Sequence, residues 1–298
     1  MNEQPEKSIL RQFIEISSPW FLVGGALFYM LGIGIAHYLG IPMRIAAFWE
    51  GMACVVLLQV SSQYLKAYFD GVGVSDERRQ VEPGKLTRRM ILIAAVSTLT
   101  IGAVMTVLVY RDGYLTGPTM IVLAASFGIA FFYSAPPLRL GNSGYGELIS
   151  SILIANMIPA FAFLLQAGEL HRLVAMSTFP LTAQVMASML MFSFPDYSLI
   201  PKGDRRTLLD RMGWRRGMAL HNYLLLFSYL ILVSAALFGF PWRIAWQPLL
   251  TIPLSLFQIW QMGKIADGQK PRWQILVFVS LMIPALTAYL MTASFWIG

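Results

Sequence analysis

Long apolar runs recur nine times along the chain, each close to the roughly 20 residues an α-helix needs to cross bilayer hydrocarbon and each ended by a polar or Gly/Pro-marked stretch. They cover approximately 18–39, 45–69, 89–110, 117–134, 147–166, 174–196, 218–239, 245–263 and 273–296. Backbone groups in lipid must pair within their own segment, and these runs lack the strict alternation of barrel strands, so the pattern predicts helices. The expected fold is all-α: a polytopic bundle of nine transmembrane helices. No linker or low-complexity tract interrupts it, which makes 1–298 a single domain. The opening "MNEQPEKSILRQFIEISSP" has no cleavage-site pattern and reads as mature chain with the makings of an interfacial helix.

Composition narrows the class further. With 57% hydrophobic and 12% charged residues, the chain has too few polar side chains to wet a soluble surface, so it reads as an integral membrane protein. Alternate connections hold seventeen of the 22 Lys and Arg residues, against four on the opposite side. The positive-inside rule then puts the N-terminus and the two large basic loops in the cytoplasm and Gly298 outside the plasma membrane. The net charge of +7 comes from these headgroup-facing loops, so no nucleic-acid partner is expected. Cys54 and the three histidines have the spacing of packed residues rather than of metal ligands.

One helix breaks the apolar pattern. In the second span Gln59, Gln63, Lys66 and Asp70 fall within a narrow arc at about 100° per residue. Snorkelling would account for Lys66 alone, but not for two glutamines on the same face. The loop after this span, "DGVGVSDERRQVEPGK", mixes acids and bases, as does "FPDYSLIPKGDRRTLLDRMG" after the sixth. Carboxylates beside guanidinium groups suit a diphosphate: the acids hold Mg²⁺, and Arg or Lys neutralises the remaining charge. Loop salt bridging is the plainer alternative.

The stretch "FFYSAPPLRLGNSGYGEL" (131–148) resembles the fourth-to-fifth helix connection of the UbiA superfamily of intramembrane prenyltransferases, in particular its menaquinone-type branch. "GDRRTLLDRMG" (203–213) resembles the segment after that family's second Asp-rich motif. The resemblance implies a bundle whose central cavity opens near the cytoplasmic side. It also implies two Asp-rich motifs that use Mg²⁺ to ionise an isoprenoid diphosphate, whose allylic cation alkylates an aromatic or quinone-precursor acceptor. By matched position, Asp70, Asp76 and Asp196 are the implied metal ligands, with Asp70, Asp196, Lys66 and Tyr133 as the catalytic group. Gln63, Asp76, Arg139, Lys202, Arg205 and Arg206 are the implied substrate-binding residues.

The chain also departs from the pattern. Lys66-Ala67 stands where the first motif reads Asn-Asp, Gln63 replaces an Asn, Ile200 takes the place of the second motif's later Asp, and Ser18 replaces an Arg before Pro. Lys66 is therefore expected to bring positive charge to the diphosphate in place of a lost metal ligand. Two rivals to a prenyltransferase remain at this point: a catalytically silent homologue that binds an isoprenoid lipid or a partner protein, and a transporter, which the gathering of charge at one interface disfavours.

Overall fold

The computed structural model describes residues 9–70, 86–197 and 207–298, which form helices joined by short connections. Helix α1 (Ile9–Ile16) is amphipathic, exposing Ile9, Leu10 and Ile14 while Phe13 meets Tyr64 edge-on at 5.8 Å. Exposed apolar residues on a short helix beside a membrane bundle suit the lipid headgroup region. Proline at the first turn, where no intrahelical N–H is needed, starts α2 (Pro19–Tyr38). Then come α3 (Ile45–Asp70), α4 (Arg88–Arg111) and α5 (Gly117–Ser134). Thr87 caps α4 by accepting from the Met90 N–H at 3.3 Å.

The fifth span is built in two pieces. Helix α6 (Gly146–Ile152) passes through a π-turn at Leu153–Met157 into α7 (Ile158–Ala167), and Gly168 ends it at φ 82°. The second half of the bundle comprises α8 (Arg172–Ser193), α9 (Leu208–Met212), α10 (Trp214–Leu237), α11 (Trp242–Ala245), α12 (Ile252–Ala266) and α13 (Trp273–Ile297).

Eight helices among the described residues are long and apolar enough to cross a membrane, where nine were expected. The shortfall is the run 245–263. There a five-residue 3-10 turn, Gln247–Thr251, runs into the 15-residue α12. Pro248 and Pro253 lack the N–H an α-helix needs there, and the first turn tightens accordingly. The other boundaries agree to within two residues, except that α10 begins at Trp214, four residues before the expected start, and α8 stops at Ser193 and leaves Asp196 in the turn that follows.

Small residues and interhelical hydrogen bonds hold the bundle, since lipid supplies no hydrophobic drive between helices. A β-carbon at Gly32 of α2 would collide with the Pro159 backbone carbonyl and the Ala162 side chain, so α2 and α7 approach at backbone distance. The Tyr29 hydroxyl donates to the Phe48 carbonyl at 2.9 Å, tying α2 to α3. On the other side Gln184 donates to Ser228 at 3.3 Å, and Tyr229 shares hydrogen bonds with Thr251 and Ser255 at 2.8 and 2.7 Å.

Candidate active site

The cores of the spans are apolar, yet at one end of the bundle the helices part around a chamber of about 910 Å³. Seven segments reach it: the start of α2, the last turns of α3, the end of α5, the connection at Gly141, the α6–α7 span, the end of α8 with the turn after it, and α9. This is the end that bears the basic connections. The inner wall is apolar, with Phe21, Leu58, Leu153, Ile154, Ile158 and Phe192. Nearer the mouth the lining turns polar, with Gln63, Lys66, Tyr133, Glu147, Asp196 and Arg211.

The polar stripe of the second span explains one side of this chamber. Gln59, Gln63 and Lys66 all line it, because residues four and seven apart on α3 stack along one face. Gln59 is nine-tenths buried and donates to the Phe21 carbonyl at 3.2 Å, while Lys66, one turn before the helix end, is half-buried. Asp70 does not join them. It is the last residue of α3, exposed outside the lining, where Asn142 Nδ2 reaches its Oδ1 at 3.5 Å.

The opposite side depends on Glu147, whose importance the sequence did not reveal. Its carboxylate is buried and accepts the Leu208 N–H at 3.1 and 3.2 Å and the Ser193 hydroxyl at 3.1 Å. Three segments distant in sequence are thereby joined: the start of α6, the end of α8 and the start of α9. Helix α9 is further fixed by a capping box, in which the Thr207 N–H and hydroxyl both reach Asp210 Oδ2 at 2.8 Å and the Asp210 N–H returns to Thr207 Oγ1 at 3.1 Å. So held, α9 presents Arg211 to the chamber.

Of the residues expected from sequence, Gln63, Lys66, Tyr133 and Asp196 share this chamber. Arg139 lies outside the lining, exposed, with its guanidinium 6.0 Å from the Phe69 ring centroid. Asp76, Lys202, Arg205 and Arg206 lie outside the described residues. Arg211 and Glu147 are the chamber residues that sequence reasoning quoted within motifs without giving them a role. The signal available was their place in "GYGEL" and "RTLLDRMG".

Comparison with known proteins bears on this geometry. The UbiA prenyltransferase family model matches residues 26–282. The chain belongs to the UbiA prenyltransferase family. It is 20% identical over 292 residues to the 1,4-dihydroxy-2-naphthoate octaprenyltransferase of Bacillus subtilis (strain 168), covering 94% of this chain and 82% of the relative. A UbiA homologue from Archaeoglobus fulgidus solved with DMAPP and Mg²⁺ superimposes at a TM-score of 0.66 and 15% identity, over 94% of this chain and 98% of that one. A digeranylgeranylglyceryl phosphate synthase structure superimposes at 0.62 and 13% identity, over 93% and 92%. These structural likenesses establish the UbiA fold and the shared arrangement of helices.

Within this UbiA-family chamber, few carboxylates are available to a divalent cation. Among the described residues no three His, Cys, Asp or Glu side chains come together as a metal-binding group. Glu147 is engaged with Leu208 and Ser193, and Asp210 with Thr207. Asp196, exposed in the chamber lining, is the lining acid that makes no such backbone contact among the described residues. That donor set suits a Mg²⁺ ion held by one or two carboxylates together with substrate phosphate oxygens and water, which is how Mg²⁺ is usually bound. The described cations lining the chamber are Lys66 of α3 and Arg211 of α9, so two separate helices bring positive charge to it.

Proposed function

We propose that this UbiA-family prenyltransferase moves an isoprenoid group from a prenyl diphosphate to an aromatic quinone-precursor acceptor of the dihydroxynaphthoate type. The observation that carries the reading is one chamber with an apolar inner wall and a cationic, hydrogen-bonding mouth. An isoprenoid chain matches the first part and a diphosphate the second. The family and the named octaprenyltransferase relative support the reaction class and the acceptor class.

The reaction separates charge. The bond between the allylic carbon and the diphosphate oxygen breaks, and the electron pair leaves with the oxygen. An aromatic carbon of the acceptor then supplies the pair for the new carbon–carbon bond and loses its proton. Fixed cations at the chamber mouth stabilise the departing diphosphate more than the bound donor, since charge grows on the leaving oxygen as the bond breaks. Lys66 takes this role on α3. Gln63, one turn deeper, orients the phosphate oxygens by hydrogen bonding, and the Tyr133 ring offers its π face to the allylic cation. Mg²⁺, when bound, would be held by Asp196, the exposed acid of the chamber lining, and would supply further charge neutralisation. The basic end of the bundle, and with it the N-terminus, faces the cytoplasm in this reading.

The test is diphosphate release from a panel of prenyl diphosphates by detergent-purified protein, with and without Mg²⁺, in the presence of a dihydroxynaphthoate acceptor. Acceptor-dependent release with formation of a prenylated product supports the reading. A second reading, a silent UbiA-fold protein that holds an isoprenoid lipid, draws on the missing three-acid group among the described residues. It predicts co-purified isoprenoid and no release from any donor.

A further inference from the structure

Arg211 of α9 is seated against the connection between α5 and α6. Its guanidinium lies 4.6 Å from the Tyr145 ring centroid and donates through Nη2 to the Ser143 carbonyl. Between these two contacts is Gly144, buried, at φ 79°. A β-carbon there would run into Arg211 Nε and Cδ. The absent side chain is therefore a notch into which the arginine folds, and the left-handed backbone that forms the notch is one only glycine adopts without strain. The ring beneath and the carbonyl beside it fix the plane of the guanidinium at the chamber wall.

We propose that Arg211, positioned by the Gly144 notch and the Tyr145 ring, is a diphosphate-binding residue of this enzyme, acting in the chamber that Lys66 also lines. The inference rests on the prenyltransferase reading and extends it to a residue on the α9 side. Three observations carry it. Arg211 lines the same chamber as Lys66 and Gln63, whereas Arg139, the one described arginine among the three expected from sequence, lies outside that lining with its guanidinium 6.0 Å from the Phe69 ring centroid. A guanidinium presents five N–H donors in a planar fork; among the described residues one is given to the Ser143 carbonyl, and the fork geometry matches phosphate oxygens. Its seat is also anchored: α9 is clamped by Glu147 and by its own capping box, so the arginine is held before any ligand arrives. A cation fixed in advance loses little freedom on binding, which raises its contribution to affinity.

The experiment measures binding of an uncleavable prenyl thiodiphosphate and of inorganic pyrophosphate to the full-length protein in detergent, for wild type, Arg211→Ala, Arg211→Lys, Tyr145→Leu and Gly144→Ala. Thermal unfolding of each variant is followed alongside. The expected result is a Kd raised about tenfold or more in Arg211→Ala for both ligands, with the melting temperature held near wild type. Arg211→Lys should recover part of the loss, because a point charge replaces a fork. Tyr145→Leu should weaken binding with no change of backbone strain, and Gly144→Ala should weaken it at least as much. Wild type that binds while Arg211→Ala binds equally well overturns this inference and leaves the prenyltransferase reading standing. Wild type that binds neither ligand overturns both.

Discussion

The Glu147 carboxylate and the Leu208 N–H meet at 3.1 Å across 61 residues of chain, and through that contact the start of the fifth span holds the connection that follows the sixth. A buried carboxylate that accepts a backbone N–H and a hydroxyl holds its partners more firmly than neutral hydrogen bonds do. The chamber's α9 wall, Arg211 included, is fixed by this residue.

Glu147→Ala should therefore both loosen and inactivate the protein. Removing the acceptor leaves the Leu208 N–H and the Ser193 hydroxyl without it, at about 1–3 kcal/mol. The check is a lowered melting temperature together with a loss of prenyl transfer. Glu147→Gln keeps one acceptor oxygen and should fall between the two.

Lys66→Ala should raise the donor Kd by about tenfold or more, equivalent to ~1.4 kcal/mol or more, and leave acceptor KM nearly unchanged. Lys66→Arg should retain much of the affinity, since charge is preserved on the same face of α3. Isothermal titration with a prenyl thiodiphosphate distinguishes these outcomes. Unaltered donor binding in Lys66→Ala would show that the α3 stripe has another purpose.

Mg²⁺ removal should weaken donor binding without abolishing it. Two protein cations line the chamber, and no cluster of three metal-binding side chains is found among the described residues. Titration of donor into protein treated with a chelator is expected to show a Kd shift of no more than about tenfold, ~1.4 kcal/mol. Complete loss of binding would place the charge burden on the metal alone.

Gly32→Ala should destabilise the bundle by about 1–3 kcal/mol, the usual range for overpacking a fitted interface. The added methyl meets a backbone carbonyl of Pro159, which cannot swing aside as a side chain would. Unfolding in detergent reads the effect directly, and ligand affinity per folded molecule should stay close to wild type because Gly32 lies away from the chamber lining.

Hydrophobic patterning made most of the bundle legible, because a bilayer imposes one length scale on every crossing helix. The polar face of α3 was legible for a similar reason. Helical phase alone aligns Gln59, Gln63 and Lys66, and all three reach the chamber. Phase misjudges Asp70 because it carries no information about where the chamber wall stops; the helix ends at that residue, beyond the lining. The run 245–263 reads as one uninterrupted helix because hydropathy ignores the missing N–H groups of Pro248 and Pro253, and the structure divides it into a 3-10 turn and α12. Glu147 and Arg211 escaped because their roles arise from contacts between segments about sixty residues apart, 143–147 and 207–211, which no local spacing encodes.

The π-turn at Leu153–Met157 adds about one residue to a helical turn, and everything after it is rotated by roughly 100° relative to an uninterrupted helix. The span thus has two independent azimuths. Its first half aims Glu147 and Ser150 at the chamber, Leu153, Ile154 and Ile158 continue that wall through the turn, and beyond it Pro159 and Ala162 meet Gly32. An ordinary α-helix of the same sequence would have to compromise one orientation for the other. The wider turn acts as a swivel, letting the reactive end and the structural end of one rod be tuned separately.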